Sequence, residues 1–264
     1  MRGIRRLGLV LAAPCAVTML LAVTVPGDAR AAGPLYGHDI SWPQCPTSAG
    51  GVGLPMPPET SQFVVLGLTR GLPFTDNPCL ADQLGWTRAH GLPAHAYTIP
   101  AFPTPAQLEA DGGTGPWAAD EPGARLRNAG HAQARHALAT LARVGFSPPT
   151  VWIDVEARPA QPWPTATEQQ QLDNRAVLDG VIRGLADAHL AYGFYASSAG
   201  WRSITGSWQL PGTPVWATAG RLDHPEEARD LCTSPSFSGG SVLIAQWFDD
   251  ERDYDLTCTP DVFP

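Results

Sequence analysis

Two carboxylates stand two residues apart in Thr150-Val-Trp-Ile-Asp154-Val-Glu156, at the end of an apolar, β-branched run. Successive side chains of a strand alternate faces, so in a strand Asp154 and Glu156 share one face while Ile153 and Val155 take the other. Like charges so placed repel, and crowding drives two carboxyl pKa values apart, leaving one group protonated and its neighbour ionised. Hydrolysis of a glycosidic bond commonly uses that combination, an acid for the leaving oxygen and an ionised partner. Same-face neighbours on a strand have Cα atoms about 6.6 Å apart. Their carboxyls then fit either the retaining or the inverting spacing, and the pair alone does not assign the stereochemistry.

Such a pair needs a scaffold to aim it. Eight short apolar runs read as strands, at residues 36–41, 63–69, 93–100, 150–156, 191–198, 214–220, 241–248 and 254–258. Between them, Leu178, Val181, Ile182 and Leu185 follow the i, i+3, i+4, i+7 spacing of an amphipathic helix, and Leu138, Leu141 and Val144 give a shorter version. Residues 79–90, closed by Gly91, are a third helix candidate. Strands alternating with helices predict βαβ units and a parallel sheet. Eight of them over this length suit one α/β domain, a closed (β/α) barrel, made irregular by the little room for helices among the last three strands. A doubly wound open sheet is the alternative, but no glycine-rich phosphate loop follows the first strand to support it. Residues 46–58 and 100–122, rich in Pro and Gly, are expected to be long loops on the rim.

In either architecture ligands sit beyond the carboxyl ends of the strands. The first strand brings His38 and Asp39 there, the third Tyr97, the fourth Asp154 and Glu156, the fifth Tyr195 and the sixth Trp216. Gln246 and Trp247 come from the seventh and Asp255 from the eighth. Taken singly, an Asp at a strand end caps a helix and a strand Trp or Tyr belongs to the core. Four acids and several aromatics on one rim instead describe an acidic cleft on which sugar rings can stack. A divalent ion held by Asp39, Asp154, Glu156 and Asp255 is a weaker use of the cluster, since the seven His show no HxH or HxxxH spacing. No Gly-x-Ser-x-Gly elbow is present, the cysteines are accounted for by disulfides, and no cofactor is expected.

The chain has 264 residues and a formal net charge of −8, and all 17 of its basic residues are Arg. Residues 1–31 read as a secretory signal peptide: Arg2, Arg5 and Arg6 precede an apolar run over 7–25, and Ala29-Arg-Ala31 offers a cleavage site. An uncleaved anchor is the alternative, disfavoured by Pro14 and the small-residue site. Without that leader 13 basic and 24 acidic side chains remain, a net charge of −11. This makes nucleic acid and anionic lipid poor partners. No later segment is apolar enough to span a membrane, so the barrel domain over residues 32–264 is expected to be a monomer, secreted, extracellular or cell-wall associated. Cys45, Cys79, Cys232 and Cys258 are an even set in an exported chain, which favours two disulfides. Of three possible pairings, Cys45 with Cys79 and Cys232 with Cys258 are preferred, because each pair flanks elements expected to be neighbours.

The order of motifs resembles glycoside hydrolase family 25, the muramidase lysozymes. Their first strand reads Gly-x-Asp-Val/Ile-Ser with a Gln five residues after the Asp, matched by Gly37-His-Asp39-Ile-Ser41-Trp-Pro-Gln44. Their Asp-x-Glu is matched by Asp154-Val-Glu156, and their Gly-x-Tyr-x-Ser followed by Trp by Gly193-Phe-Tyr195-Ala-Ser197 with Trp201. Val215-Trp216-Ala217, Gln246-Trp247 and Asp255-Leu256 resemble the later motifs. The likeness spans residues 36–258 and implies a TIM-like barrel. It implies Glu156 as general acid and Asp154 as a companion that stabilises positive charge or orients an N-acetyl group. Asp39 and Asp255 would be flanking acids, and Tyr97, Tyr195, Trp216 and Gln246 would contact the sugars. The implied reaction is hydrolysis of the β-1,4 bond after N-acetylmuramic acid in peptidoglycan. Departures lie near the cleft: Leu66-Gly67-Leu68-Thr69-Arg70-Gly71 lacks the family's Lys before Thr-x-Gly, Tyr97 precedes Thr98-Ile99 rather than His and an aromatic, and the 46–58 insertion is unusual. A non-catalytic cell-envelope glycan-binding protein on the same barrel is the competing expectation.

Overall fold

A computed structural model of the chain describes residues 33–118, 120–157, 161–221 and 225–263; the expected leader lies outside them. Eight strands close into a barrel in chain order: β1 (Tyr36–Ile40), β2 (Phe63–Gly67), β3 (Ala94–Thr98), β4 (Thr150–Asp154), β5 (Ala191–Ala196), β6 (Val215–Arg221), β7 (Val242–Phe248) and β8 (Asp253–Thr257). The helices are α1 (Leu80–Ala89), α2 (Pro105–Asp111), α3 (Ala124–Val144), α4 (Glu168–Asp187), α5 (Ser198–Thr205) and α6 (Glu226–Leu231). All eight expected strands are present, and the three expected helices are α1, α3 and α4.

The alternation within β4 shows how the sequence builds two cores. Val151, Ile153 and Val155 turn outward and pack with Ala134, Ala137 and Leu141 of α3 and Val177, Leu178, Val181 and Leu185 of α4. Trp152 turns inward to join Phe63, Val65, Tyr97, Tyr195, Trp216 and Ile244 inside the barrel. Asp154 therefore points into the barrel two residues above Trp152. A hydrogen bond from Val155 N to Tyr195 O, 2.9 Å, prolongs the register so that Glu156 follows on the same side at the rim.

Gly193 on β5 pairs with Trp152 in this register. A Cβ on Gly193 would lie 2.3 Å from Trp152 Cζ3, so the bare backbone is what lets the indole lie across it. Gly67 does the same for Tyr97, whose ring carbon Cζ would be 2.7 Å from a Cβ there. At the lower end Phe263 plugs the barrel, stacked on Phe63 at 4.1 Å and on His95 at 4.0 Å. Burial pushes the His95 imidazole down to about 4, so it is neutral, and its Nδ1 accepts a hydrogen bond from Trp152 Nε1 at 3.2 Å.

Two expectations are corrected. The sheet is not wholly parallel, because β8 runs antiparallel to both β7 and β1. Only four residues, 249–252, separate β7 from β8, and a parallel return needs a crossover of about a dozen or more. The 100–122 stretch is not all loop, since it contains α2, started by a capping box between Thr104 and Gln107 with Pro105 at the first helical position. The crossover helices shorten from α4 to α5 to α6, as the spacing of the last strands required.

Both preferred disulfides are present. Cys45–Cys79 ties the chain after β1 to the start of α1 with Cα atoms 5.7 Å apart, and Cys232–Cys258 ties the end of α6 to the end of β8 at 5.2 Å. Among the described residues no helix is long and apolar enough to cross a membrane.

Candidate active site

The carboxyl ends of β1 and β3–β7 surround a cleft of about 400 Å³. Asp39, Tyr97, Asp154, Tyr195, Trp216 and Gln246 line it together with Glu156, Ser41, Trp42, Pro43, Phe248 and Asp253. Asp39, Asp154 and Gln246 are buried, whereas Glu156, two residues past the end of β4, is half-buried.

A hydrogen-bonded chain crosses the floor. Tyr195 donates its hydroxyl to Gln246 Oε1 at 2.6 Å, and Gln246 Nε2 donates to Asp39 Oδ2 at 2.7 Å. On the other side of Asp39, Trp216 Nε1 donates to Asp255 Oδ1 at 2.8 Å. Asp255 and Asp39 are both buried beneath the cleft, and Asp255 Oδ2 has no hydrogen-bond partner among the described residues. Burial is the main cause that holds both carboxyls well above the usual carboxylate range; repulsion from Asp253 adds to it in each, and for Asp39 also repulsion from Asp255 and Asp154. Donation by Gln246 and by Trp216 opposes the rise without cancelling it. Burial likewise raises the Tyr97 and Tyr195 hydroxyls, aided by the charges of Asp39 and Asp154, so both are donors at neutral pH.

Gln161 fixes the residues leaving β4. Its Oε1 accepts from Glu156 N at 2.6 Å and its Nε2 donates to Asp154 O at 3.1 Å, all within a buried side chain. One amide thus clamps the backbone on either side of Val155 and sets where the two carboxylates emerge.

Seven of the eight expected site residues line the cleft, and Asp255 does not. Because β8 is antiparallel, its amino end is at the rim; Asp253 lies there, and Asp255, 0% exposed, lies one pleat deeper. The expected sugar platforms are also more enclosed than a stacking surface would be. Tyr97, Tyr195 and Trp216 are 7%, 6% and 2% exposed, packed on one another with Trp216 4.6 Å from Tyr195 and 6.0 Å from Tyr97. Trp42 and Phe248 supply the half-buried aromatic surface of the cleft. Trp247 points to the outside, stacked on Tyr254 at 5.3 Å. His38, expected at the same rim, is buried beside it, its Nδ1 3.1 Å from Ser61 Oγ, and burial pushes its imidazole down to about 4.

Asp253, Gln161, Trp42 and Phe248 escaped the sequence reading. Asp253 was recoverable, since Asp253-Tyr-Asp255 repeats the same-face spacing of Asp154 and Glu156. Gln161 carries no such signal, because its role depends on a loop folding back on its own strand. Among the described residues no three His, Cys, Asp or Glu side chains are grouped as a metal ion would need.

Proteins of known structure share this fold. A family model described as lysozyme-like protein 1 matches residues 121–225, which run from the start of α3 to the end of β6. No curated protein sequence matches the chain. Among solved structures it is similar to a family GH25 lysozyme from Aspergillus fumigatus, with a TM-score of 0.53 and 14% identity over 87% of this chain and 96% of that one. The bacterial lysozyme from Streptomyces coelicolor gives 0.53 and 16% identity over 84% and 90%. The modular autolysin LytC from Streptococcus pneumoniae, solved with a synthetic peptidoglycan ligand, gives 0.51 and 10% identity over 84% of this chain and 46% of that one. What the chain shares with these structures is the fold, a closed barrel of eight strands with helices around it.

Proposed function

We propose that the protein is an exported glycoside hydrolase that cleaves β-1,4 bonds of cell-wall peptidoglycan, with Glu156 as general acid and Asp154 as its ionised companion. The observation that carries this reading is the convergence of Asp154 and Glu156, with Asp39 and Asp253, on one cleft above the barrel. Glu156 is the half-buried member of the group and lines the cleft, which supports its assignment as the acid that protonates the glycosidic oxygen. Asp154, buried deeper on the same strand face, is the carboxyl this reading assigns to stabilising positive charge at the anomeric carbon. Tyr97 offers a hydroxyl donor to a sugar oxygen, while the Tyr195 proton is engaged by Gln246. Asp39 and Asp255, both pushed above the usual carboxylate range by burial, support the floor through Gln246 and Trp216. The reaction needs water and no cofactor.

Export is supported by the expected leader and by two disulfides, which form and persist in oxidising compartments. Peptidoglycan as substrate is supported by the lysozyme-like model and by the ligand carried by the pneumococcal autolysin. Digesting purified peptidoglycan with the mature chain and with Glu156→Gln tests the proposal. Loss of one general acid should lower the release of new reducing ends by roughly 100-fold or more. Equal product from both proteins, or none from either, would overturn it.

A further inference from the structure

At one edge of the acidic cleft stands a cation that the reaction does not use. Arg70 lies between Thr69 and Gly71 on the loop after β2, and its guanidinium carbon is 5.0 Å from the centre of the Trp42 ring. Trp42 and Gly71 both line the cleft, and Arg70 itself is exposed. Among the described residues no acidic side chain lies within 4.0 Å of its guanidinium, whereas Arg143, Arg183 and Arg221 elsewhere on the surface are each paired with an Asp at 2.6 Å. A guanidinium stacked on an aromatic ring keeps its in-plane N–H donors available, in the fork geometry that suits a carboxylate.

The position is built from both sides. Arg70 N donates to Thr75 O at 2.8 Å, and Thr69 bridges to Asp76. Asp76 is gripped from α3 by Arg143 at 2.6 Å, His136 at 2.9 Å and Thr140 at 3.1 Å. Opposite, the guanidinium abuts Gly50 so closely that a Cβ there would be 3.0 Å from Nη1. Gly50 belongs to the 46–58 insertion, which Cys45–Cys79 staples beside it. Arg70 is thus ordered before a ligand arrives, and less side-chain entropy is lost on binding.

We propose that Arg70, stacked on Trp42, is a recognition site for a carboxylate of the glycan, so that this cleft is selective for anionic over neutral β-1,4 glycans. This rests on the glycan-binding part of the proposed function and deepens it. A carboxylate-bearing strand entering the cleft meets Asp39, Asp154, Glu156 and Asp253, and the Trp42 edge is where its charge finds an attractive partner. Peptidoglycan has two sources of that carboxylate: the lactyl group of a muramic acid residue without its peptide, and the stem peptide itself where the lactyl group is amide-linked.

The test is calorimetric binding of the mature chain, in a Glu156→Gln background that stops turnover, with and without Arg70→Gln or Arg70→Lys. The probes are peptide-free glycan fragments, the same fragments with lactyl carboxylates capped as methylamides, and peptide-bearing fragments. Arg70→Gln should weaken binding of a carboxylate-bearing probe about fivefold and leave the methylamide probe unchanged, with Arg70→Lys between. A loss on the peptide-free fragments assigns the lactyl source, and a loss on the peptide-bearing fragments assigns the stem peptide. Equal loss on capped and uncapped probes, no loss on any probe, or no binding by the Arg70 protein at all would overturn the proposal. Selective loss in a chain that never hydrolyses peptidoglycan would sink the hydrolase reading while leaving Arg70 recognition standing.

Discussion

Gly193→Ala is the substitution whose cost follows most directly from the geometry. The new Cβ would be 2.3 Å and 2.6 Å from Trp152 Cζ3 and Cε3, and 2.8 Å from Pro214 O. Restoring an ordinary 3.4 Å contact means moving the indole by about 1 Å. Trp152 has nowhere to go: it is fully buried, tied to His95 through Nε1, and packed edge-on against Trp216 at 6.0 Å. Overpacking of this kind costs about 3 kcal/mol, at the upper end of its usual range. The stiffer unfolded chain of an Ala variant returns roughly 0.5–1 kcal/mol. The net loss is about 2 kcal/mol, a fall in the thermal midpoint of roughly 4–8 °C for a domain of this size. Circular-dichroism melts of wild type, Gly193→Ala, Trp152→Phe and the double variant would measure it as a cycle. The smaller Phe ring should make the double variant more stable than the sum of the single losses predicts. A Gly193→Ala midpoint within about 1 °C of wild type, or strict additivity in the cycle, would refute the packing argument.

Two further outcomes follow from the floor of the cleft and the loop above it. Asp255 has a folded pKa raised by burial and by Asp253. The folded state therefore holds a proton that the unfolded chain releases above about pH 4, and stability falls as pH rises from there through the folded value. Asp255→Asn keeps an acceptor for Trp216 and removes that titration, so its thermal midpoint relative to wild type should climb between pH 4 and pH 8; a constant or shrinking gap would contradict the assignment. Gln161→Ala removes both hydrogen bonds that fix the chain around Asp154 and Glu156. It should cost about 2 kcal/mol of stability and lower peptidoglycan turnover about tenfold as the carboxylates lose their fixed spacing; wild-type turnover in a well-folded variant would show that the clamp does not position them.

The strands and the sharing of one face by Asp154 and Glu156 were legible because a strand's side-chain period is two, whatever it packs against. The same rule put Ile153 and Val155 on the face opposite the two acids, the closed barrel alone showing that this face is the outer one, and the even cysteine count pointed to two disulfides. Loop length also spoke, in that four residues between the last two strands rule out a parallel return, although that consequence is clear only once β7 and β8 are bounded. The helices α2, α5 and α6 are too short for periodicity to register, so their caps are their main signature.

The sequence by itself thus determined which neighbouring side chains share a strand face and that Asp39, Asp154 and Glu156 stand at strand ends. The tertiary structure alone decided how deep each of them sits. Antiparallel β8 lifts Asp253 to the cleft and drops Asp255 into the core, Gln161 returns from a loop to hold β4's end, and a stapled insertion brings Gly50 against Arg70 and Trp42. The physical reason is range: face and period are properties of a few consecutive residues, whereas depth, pairing and protonation depend on groups brought together from distant parts of the chain.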